Sequence, residues 1–397
     1  MNKQVYMDYS ATTYTKPEVL EEMLPFFTEN FGNPSSLYSF SDKTKIAVNV
    51  ARERVAKALN AEKNEVFFTS GGSEADNWAL KGIAYANKNK GNHIITTKIE
   101  HHAILHTAQF LEKEGFKVTY LPVDEDGFVS VEDVKTAITD ETILVSIMFA
   151  NNEIGTIEPI KEIGKLCKEK KIYFHTDAVQ AIGHVDMDVK DMNIDLLSMS
   201  AHKFYGPKGV GALYVRNGVK IQNLIHGGGQ ERGKRASTEN TAGIVGLGKA
   251  IELAVENMPE ENKKLASLRE KLIKEIEKRI PEVKLNGPRD MNRRLHNNIN
   301  FSFIGIEGET LLLDLDMNGI FASTGSACAS ASLDPSHVLL SIGLPHEIAH
   351  GSLRLSLGSK NTEEDIDYVL EVLPKIIKQR RDMSPLWEDY MKNKEEK

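Results

Sequence analysis

Ile194-Asp195-Leu196-Leu197-Ser198-Met199-Ser200-Ala201-His202-Lys203-Phe204-Tyr205-Gly206-Pro207-Lys208-Gly209 reads as a buried strand that runs into a lysine and then a glycine-rich turn. The run before Lys203 is largely apolar and shows no solvated face, as expected of a strand covered on both sides. Its amine therefore emerges at a strand end and not on a solvated helix. Gly206, Gly209 and Gly211 allow the backbone to turn close to whatever the lysine holds. A partly desolvated lysine with a lowered pKa is a nucleophile toward carbonyl groups. A lone loop lysine is usually just solvated, so the other strand ends must decide.

Outward from this stretch, apolar runs alternate with helical periods. Residues 66–69, 93–96, 118–121, 143–147 and 172–175 read as strands, and 48–59, 74–87 and 103–113 as helices. Such alternation implies an α/β fold with a mostly parallel sheet covered by helices, and sheets of this kind bind ligands at the carboxyl ends of their strands. The polar residues fall where that rule requires. Thr69-Ser70-Gly71-Gly72-Ser73-Glu74 follows a strand and opens a helix, so its amides make an anion cradle suited to phosphate. Glu100-His101-His102, Asn151-Asn152-Glu153 and His175-Thr176-Asp177-Ala178-Val179-Gln180 end three more strands. His101 and His102 are adjacent on a helix start, and no cluster with zinc-like spacing accompanies them, so a metal reading is rejected. Asp177 closes an apolar strand, where an acid is costly unless it meets a cation. A protonated pyridine nitrogen is such a cation, and with Lys203 it points to pyridoxal phosphate.

The chain has 397 residues, 41% of them hydrophobic, enough for a large core and two domains. Acidic residues exceed basic ones, 57 to 49, a balance of −8 that argues against nucleic acid as a direct partner. No stretch of about 18 apolar residues is present, so no membrane span is expected, and the N-terminal Met1-Asn2-Lys3-Gln4-Val5-Tyr6 lacks an apolar signal region. A cytoplasmic location is the expectation. Two cysteines cannot build a disulfide framework at this length. Cys167 lies on the apolar face of a helical segment and reads as a core thiol. Cys328, within Ser323-Thr324-Gly325-Ser326-Ala327-Cys328-Ala329-Ser330, sits among small residues with little to pack, as suits an accessible thiol on a loop free to move.

Ser200-Ala201-His202-Lys203, His175 to Gln180, Gly227-Gly228-Gly229-Gln230-Glu231-Arg232-Gly233 and Ser323 to Cys328 together resemble the cysteine desulfurases of the NifS/IscS type. The likeness runs from Tyr6 to about Tyr390. It implies the type I fold of pyridoxal-phosphate enzymes, with a seven-stranded, mostly parallel sheet and a smaller α+β domain. Residues 15–258 would form the cofactor-binding domain, and 1–14 with 259–397 the small domain carrying the Cys328 loop, entered by a charged helix that begins after Met258-Pro259. Lys203 would hold the cofactor as a Schiff base, Asp177 the ring nitrogen and Gln180 the ring hydroxyl, with His101 stacked on the ring as an acid-base helper. Gly72, Ser73, Ser200 and His202 would hold the phosphate, joined by Thr238 of the partner subunit in a homodimer. Asn152 and Arg354 would face the carboxylate of L-cysteine. Cys328 would take the sulfur as a persulfide, through which it could transiently ligate an iron–sulfur cluster, while no intrinsic metal site is implied. The acceptor would be an iron–sulfur scaffold protein or another sulfur carrier, docking at the tail Arg380 to Tyr390, which otherwise reads as frayed with exposed aromatic residues. A selenocysteine lyase and a catalytically silent assembly scaffold are the alternatives. Ser73 and Gln230 depart from the threonine and histidine frequent in that family, yet both keep hydrogen-bonding capacity.

Overall fold

The computed structural model describes residues 3–325 and 335–395. In chain order its strands are β1 (Val5–Tyr6), β2 (Val66–Thr69), β3 (His93–Thr97), β4 (Lys117–Leu121), β5 (Thr142–Ser146), β6 (Tyr173–Asp177), β7 (Leu196–Ser200), β8 (Gly211–Val215), β9 (Val283–Leu285), β10 (Asn298–Phe303), β11 (Ile320–Phe321) and β12 (Ser352–Ser356). Seven of them form the central sheet, in the order β2-β8-β7-β6-β5-β3-β4. The pairs β3–β4, β3–β5, β5–β6 and β6–β7 are parallel, while β8 runs antiparallel to both β7 and β2. β2 therefore points the same way as the parallel strands. The carboxyl ends of β2, β3, β5, β6 and β7 all open on one edge, which is where the polar stretches lie.

Every residue of β5, β7 and β8 is buried, which explains runs such as Leu196-Leu197-Ser198-Met199 with no polar alternation. Helices cover both faces, giving one apolar layer around Phe174, Leu197 and Leu247 and another around Trp78, Ile83 and Leu196. The strand edges read from sequence differ from these by a residue or two, while β8 escaped that reading.

A second core gathers Leu268, Leu272, Phe301, Leu353, Leu370 and Leu373 around the antiparallel sheet β12-β10-β9 and the short parallel pair β1–β11. The two cores are joined by one helix, Thr241–Arg279, with Leu247 and Ile251 in the first and Leu265 and Ile276 in the second. Burying each such side chain is worth about 1.5–3 kcal/mol. Gly248 sits where this helix crosses Asp42–Leu59, since an added Cβ would lie 2.6 Å from Ala51 Cα.

One expectation needs correction. The helix does not begin after Pro259 but passes through it. The carbonyl that Pro259 deprives of a donor belongs to Val255, which is 41% exposed and open to water. The tail, whose order the sequence leaves open, is helical over Pro385–Glu395. Trp387 and Tyr390 are half-buried there, with the Arg381 guanidinium 4.0 Å from the Trp387 ring centroid and Tyr390 donating to Glu282 at 2.6 Å. Among the described residues no helix is long and apolar enough to cross a membrane.

Candidate active site

A cavity of about 210 Å³ opens at the shared carboxyl edge of the central sheet. Gly72 and Ser73 reach it from the helix start after β2, His101 from the loop after β3, and Asn152 from beyond β5. Asp177 ends β6, Gln180 follows it, Ser200 ends β7, His202 and Lys203 lie in the turn beyond, and Arg354 enters from β12. Ten residues singled out in the sequence thus converge on one cleft. Thr238 is exposed on a separate loop and lines no part of it. Cys328 lies outside the described residues.

The Lys203 amine donates to the carbonyls of Ser10 at 2.5 Å and Ala11 at 2.9 Å. Asp177, 5% exposed, accepts from the Val179 amide at 2.9 Å. Burial raises its pKa, while the Val179 amide and the nearby Lys203 charge act the other way. His101 caps the helix His102–Lys113, its Nδ1 accepting from the Ala103 amide at 3.1 Å. That bond fixes the tautomer and leaves the proton on Nε2. Burial, and then the Lys203 charge, lower its pKa to about 4. The imidazole is therefore neutral at pH 7. His202, bonded through Nδ1 to Thr12 Oγ1 at 3.1 Å, is pushed to about 4 chiefly by burial as well. Arg354, 1% exposed, donates to Asp8 Oδ1 at 2.8 Å and to the Asn152 carbonyl at 3.1 Å. Its buried Nε keeps no partner, so the ion-paired residue retains donor capacity beside the cleft.

This donor set fits pyridoxal phosphate. A Cβ at Gly72 would come within 2.7 Å of Val179 Cγ2 and crowd the cradle formed by the helix start and Ser200. The cradle is thus kept open for an anion. The buried Asp177 is an acid suited to a cationic partner, and the Lys203 amine lies close enough for its charge to act on both Asp177 and His101.

Of three further residues beneath the site, Asp76 escaped the sequence reading, while Glu100 and His175 stood in its strand-end stretches without a role. Asp76 also lines the cavity, and ligand-type atoms of Asp76, His101 and Asp177 lie within 4.8 Å of one another. His175 is fully buried between Ser146 Oγ at 2.8 Å and Ser198 Oγ at 3.0 Å. Glu100 accepts from Thr97 Oγ1 at 2.7 Å and the Met148 amide at 3.0 Å, and burial pushes its pKa up to about 8. The signal for Asp76 was an acid on the helical face that also carries Ala75, Ala79 and Ile83, all fully buried.

The fold and this donor set define a pyridoxal-phosphate-dependent α/β enzyme. The class-V aminotransferase family matches residues 5–369, and the chain belongs to that family. It is 92% identical over 397 residues, the whole of both chains, to cysteine desulfurase IscS of Clostridium botulinum strain Hall. Among solved structures, a NifS-like protein superposes with a TM-score of 0.89 at 42% identity, over 95% of this chain and 100% of the other. SspA in complex with cysteine gives 0.79 at 40% identity, over 89% of this chain and 99% of the other.

Proposed function

We propose that this enzyme is a cysteine desulfurase that takes the sulfur of L-cysteine onto Cys328, with L-alanine as co-product. The observation that carries the reading is the meeting of the Lys203 amine, the buried Asp177 and the neutral His101 at one sheet edge. Pyridoxal phosphate, when bound, supplies an aldehyde for amine capture and an electron sink for the α-carbon. Gly72, Ser73, Ser200 and His202 would hold its phosphate, Asp177 its ring nitrogen and Gln180 its ring hydroxyl, with His101 beside the ring. Lys203 would anchor the cofactor through its amine, and that same amine is the base placed to accept the substrate α-proton. Arg354 and Asn152 receive the substrate carboxylate, and the unpartnered Nε of Arg354 supports that role. The Cys328 thiolate then attacks the substrate sulfur: the S–S bond forms, the Cβ–S bond breaks, and the electron pair stays on carbon, which takes up a proton. The exchange balances without an external oxidant.

The expected behaviour of Cys328→Ser follows. Its cofactor spectrum still responds to L-cysteine, while alanine formation falls by on the order of 100-fold or more and no persulfide accumulates. Sustained sulfide release by this variant would contradict the assignment.

The cores around Leu197 and around Phe301 support reading 15–258 as the cofactor-binding domain and 1–14 with 259–397 as the smaller one, with Ile99, Met148 and Ile154 packing against Val338 and Leu339 where the two meet. A cytoplasmic homodimer fits the exposed Leu24, Phe27, Phe31, Leu37 and Ile46 near the N-terminus, which a second copy would cover, bringing Thr238 of the partner subunit to the phosphate. The sulfur acceptor, an iron–sulfur scaffold, docks at the helix Pro385–Glu395 in this reading. Truncation after Ser384 is expected to weaken scaffold binding at least about tenfold while light scattering still shows a dimer of the shortened chain, as it shows twice the 44.3 kDa chain mass for the intact protein. Unchanged scaffold affinity, or a 44 kDa particle for the intact chain, refutes the corresponding part.

A further inference from the structure

We propose that Asp76 and Asp177 act as one carboxyl pair holding a single proton, with Asp76 the neutral member and the positioning residue that keeps Asp177 charged toward the cofactor ring. This rests on the cofactor reading above. Asp76 is 1% exposed and comes from the second turn of the helix Gly72–Ala86, beneath the cavity it lines with Asp177. Two carboxyls this close in a dry site cannot both ionise. Their surroundings decide which one keeps the charge.

Asp177 has the Val179 amide at 2.9 Å and the nearby Lys203 ammonium. Asp76 has neither: its Oδ1 is buried with no hydrogen-bond partner and lies 3.7 Å from His175 Nε2. That imidazole is held neutral by burial, which lowers its pKa to about 3, and both its nitrogens are engaged by Ser146 and Ser198. The other titratable groups facing the pair are Glu100 below β3, itself inclined to stay protonated, and His101, neutral at its helix cap. Lys203 is thus the cation of this set, and it stands with Asp177. Burial, then the Asp177 charge, raise the Asp76 pKa well above its usual value, with Ser198 opposing. A protonated Asp76 adds no second negative charge, and its hydroxyl can face the one on Asp177.

Two variants separate this role from mere packing. Asp76→Asn keeps a neutral donor of the same shape and is expected to bind pyridoxal phosphate within about threefold of wild type when the apoprotein is titrated. Asp76→Leu keeps the volume without the donor and is expected to bind at least about tenfold more weakly. Equal binding by Leu and wild type, or an Asn variant as weak as Leu, overturns the proposal. The second readout is urea unfolding of the cofactor-free proteins. A carboxyl whose folded pKa is raised stabilises below its unfolded pKa and loses that contribution as pH rises. The wild-type midpoint should therefore fall relative to Asp76→Asn between pH 5 and 8; parallel midpoints overturn the proposal even where the Leu variant does not fold. A wild-type apoprotein that takes up no pyridoxal phosphate refutes the cofactor reading instead and leaves the unfolding comparison intact.

Discussion

Lys203→Ala is expected to lower alanine production from L-cysteine by on the order of 10³-fold or more and to abolish the borohydride-sensitive visible absorption of the purified protein. The loss has two parts. Without the amine the cofactor has no covalent anchor, and the group that accepts the α-proton is gone. The Lys203 charge also acts on both Asp177 and His101, so its removal changes the electrostatics of the whole cleft. Lys203→Arg separates the parts, because arginine restores a cation near Asp177 yet cannot form an imine at neutral pH. If Lys203→Arg regained more than about a tenth of wild-type turnover, charge and not nucleophilicity would be the function of position 203. Tracking α-deuterium exchange in L-cysteine during the same assay reports on proton abstraction directly.

How much of this was legible in the sequence follows from where the determining partners lie. The sheet was readable because a strand buried on both faces must be apolar throughout, as Leu196 to Met199 and Thr142 to Ser146 largely are, and because helices at a 3.6-residue period separate them. The cleft was readable for a related reason: Asp177 and Lys203 are polar residues at the ends of apolar strands, where burial is costly unless a partner of opposite charge is met. Asp76 was missed because one acid at the start of a helix looks like an ordinary solvated position; its burial comes from Asp177 and Ser198, about 100 residues or more further on. The order of the tail was illegible for the same reason. Arg381 donates to the carbonyls of Pro281, Glu282 and Ile304, none of which its neighbours in sequence disclose. At Pro259 the local rule that proline ends a helix was outweighed, since buried residues on both sides, Ile251 and Leu265 among them, hold the helix together.

The largest stability effect is expected at a position with no part in the chemistry. Arg52, 7% exposed, meets Glu231 in a two-pronged ion pair, Nη1 to Oε2 and Nη2 to Oε1, each at 2.7 Å. Glu231 also accepts from the Phe68 amide at 3.0 Å, so one buried carboxylate ties together the helix Asp42–Leu59, strand β2 and the glycine-rich turn 227–233. That turn needs tying. Glu231 and Arg232 adopt φ of 47° and 58°, left-handed conformations that cost a side-chain-bearing residue about 1–2 kcal/mol each. Arg52→Met leaves the carboxylate buried without its cation and is expected to cost about 3–5 kcal/mol, read as a fall in Tm of roughly 5–10 °C. Removing both charges, Arg52→Met with Glu231→Leu, is expected to recover more than half of that loss, because the penalty lies in the orphaned charge and not in the missing attraction. A double variant no more stable than Arg52→Met would show that the loss came from packing at Phe68, whose ring centroid lies 4.6 Å from the guanidinium, and not from the buried charge. The same lesion should reach the cofactor. The segment after the turn carries Arg235, bonded through Nε to Glu74 at 2.8 Å, and then Thr238, so loosening it should weaken pyridoxal phosphate binding in Arg52→Met although every residue lining the cleft is intact.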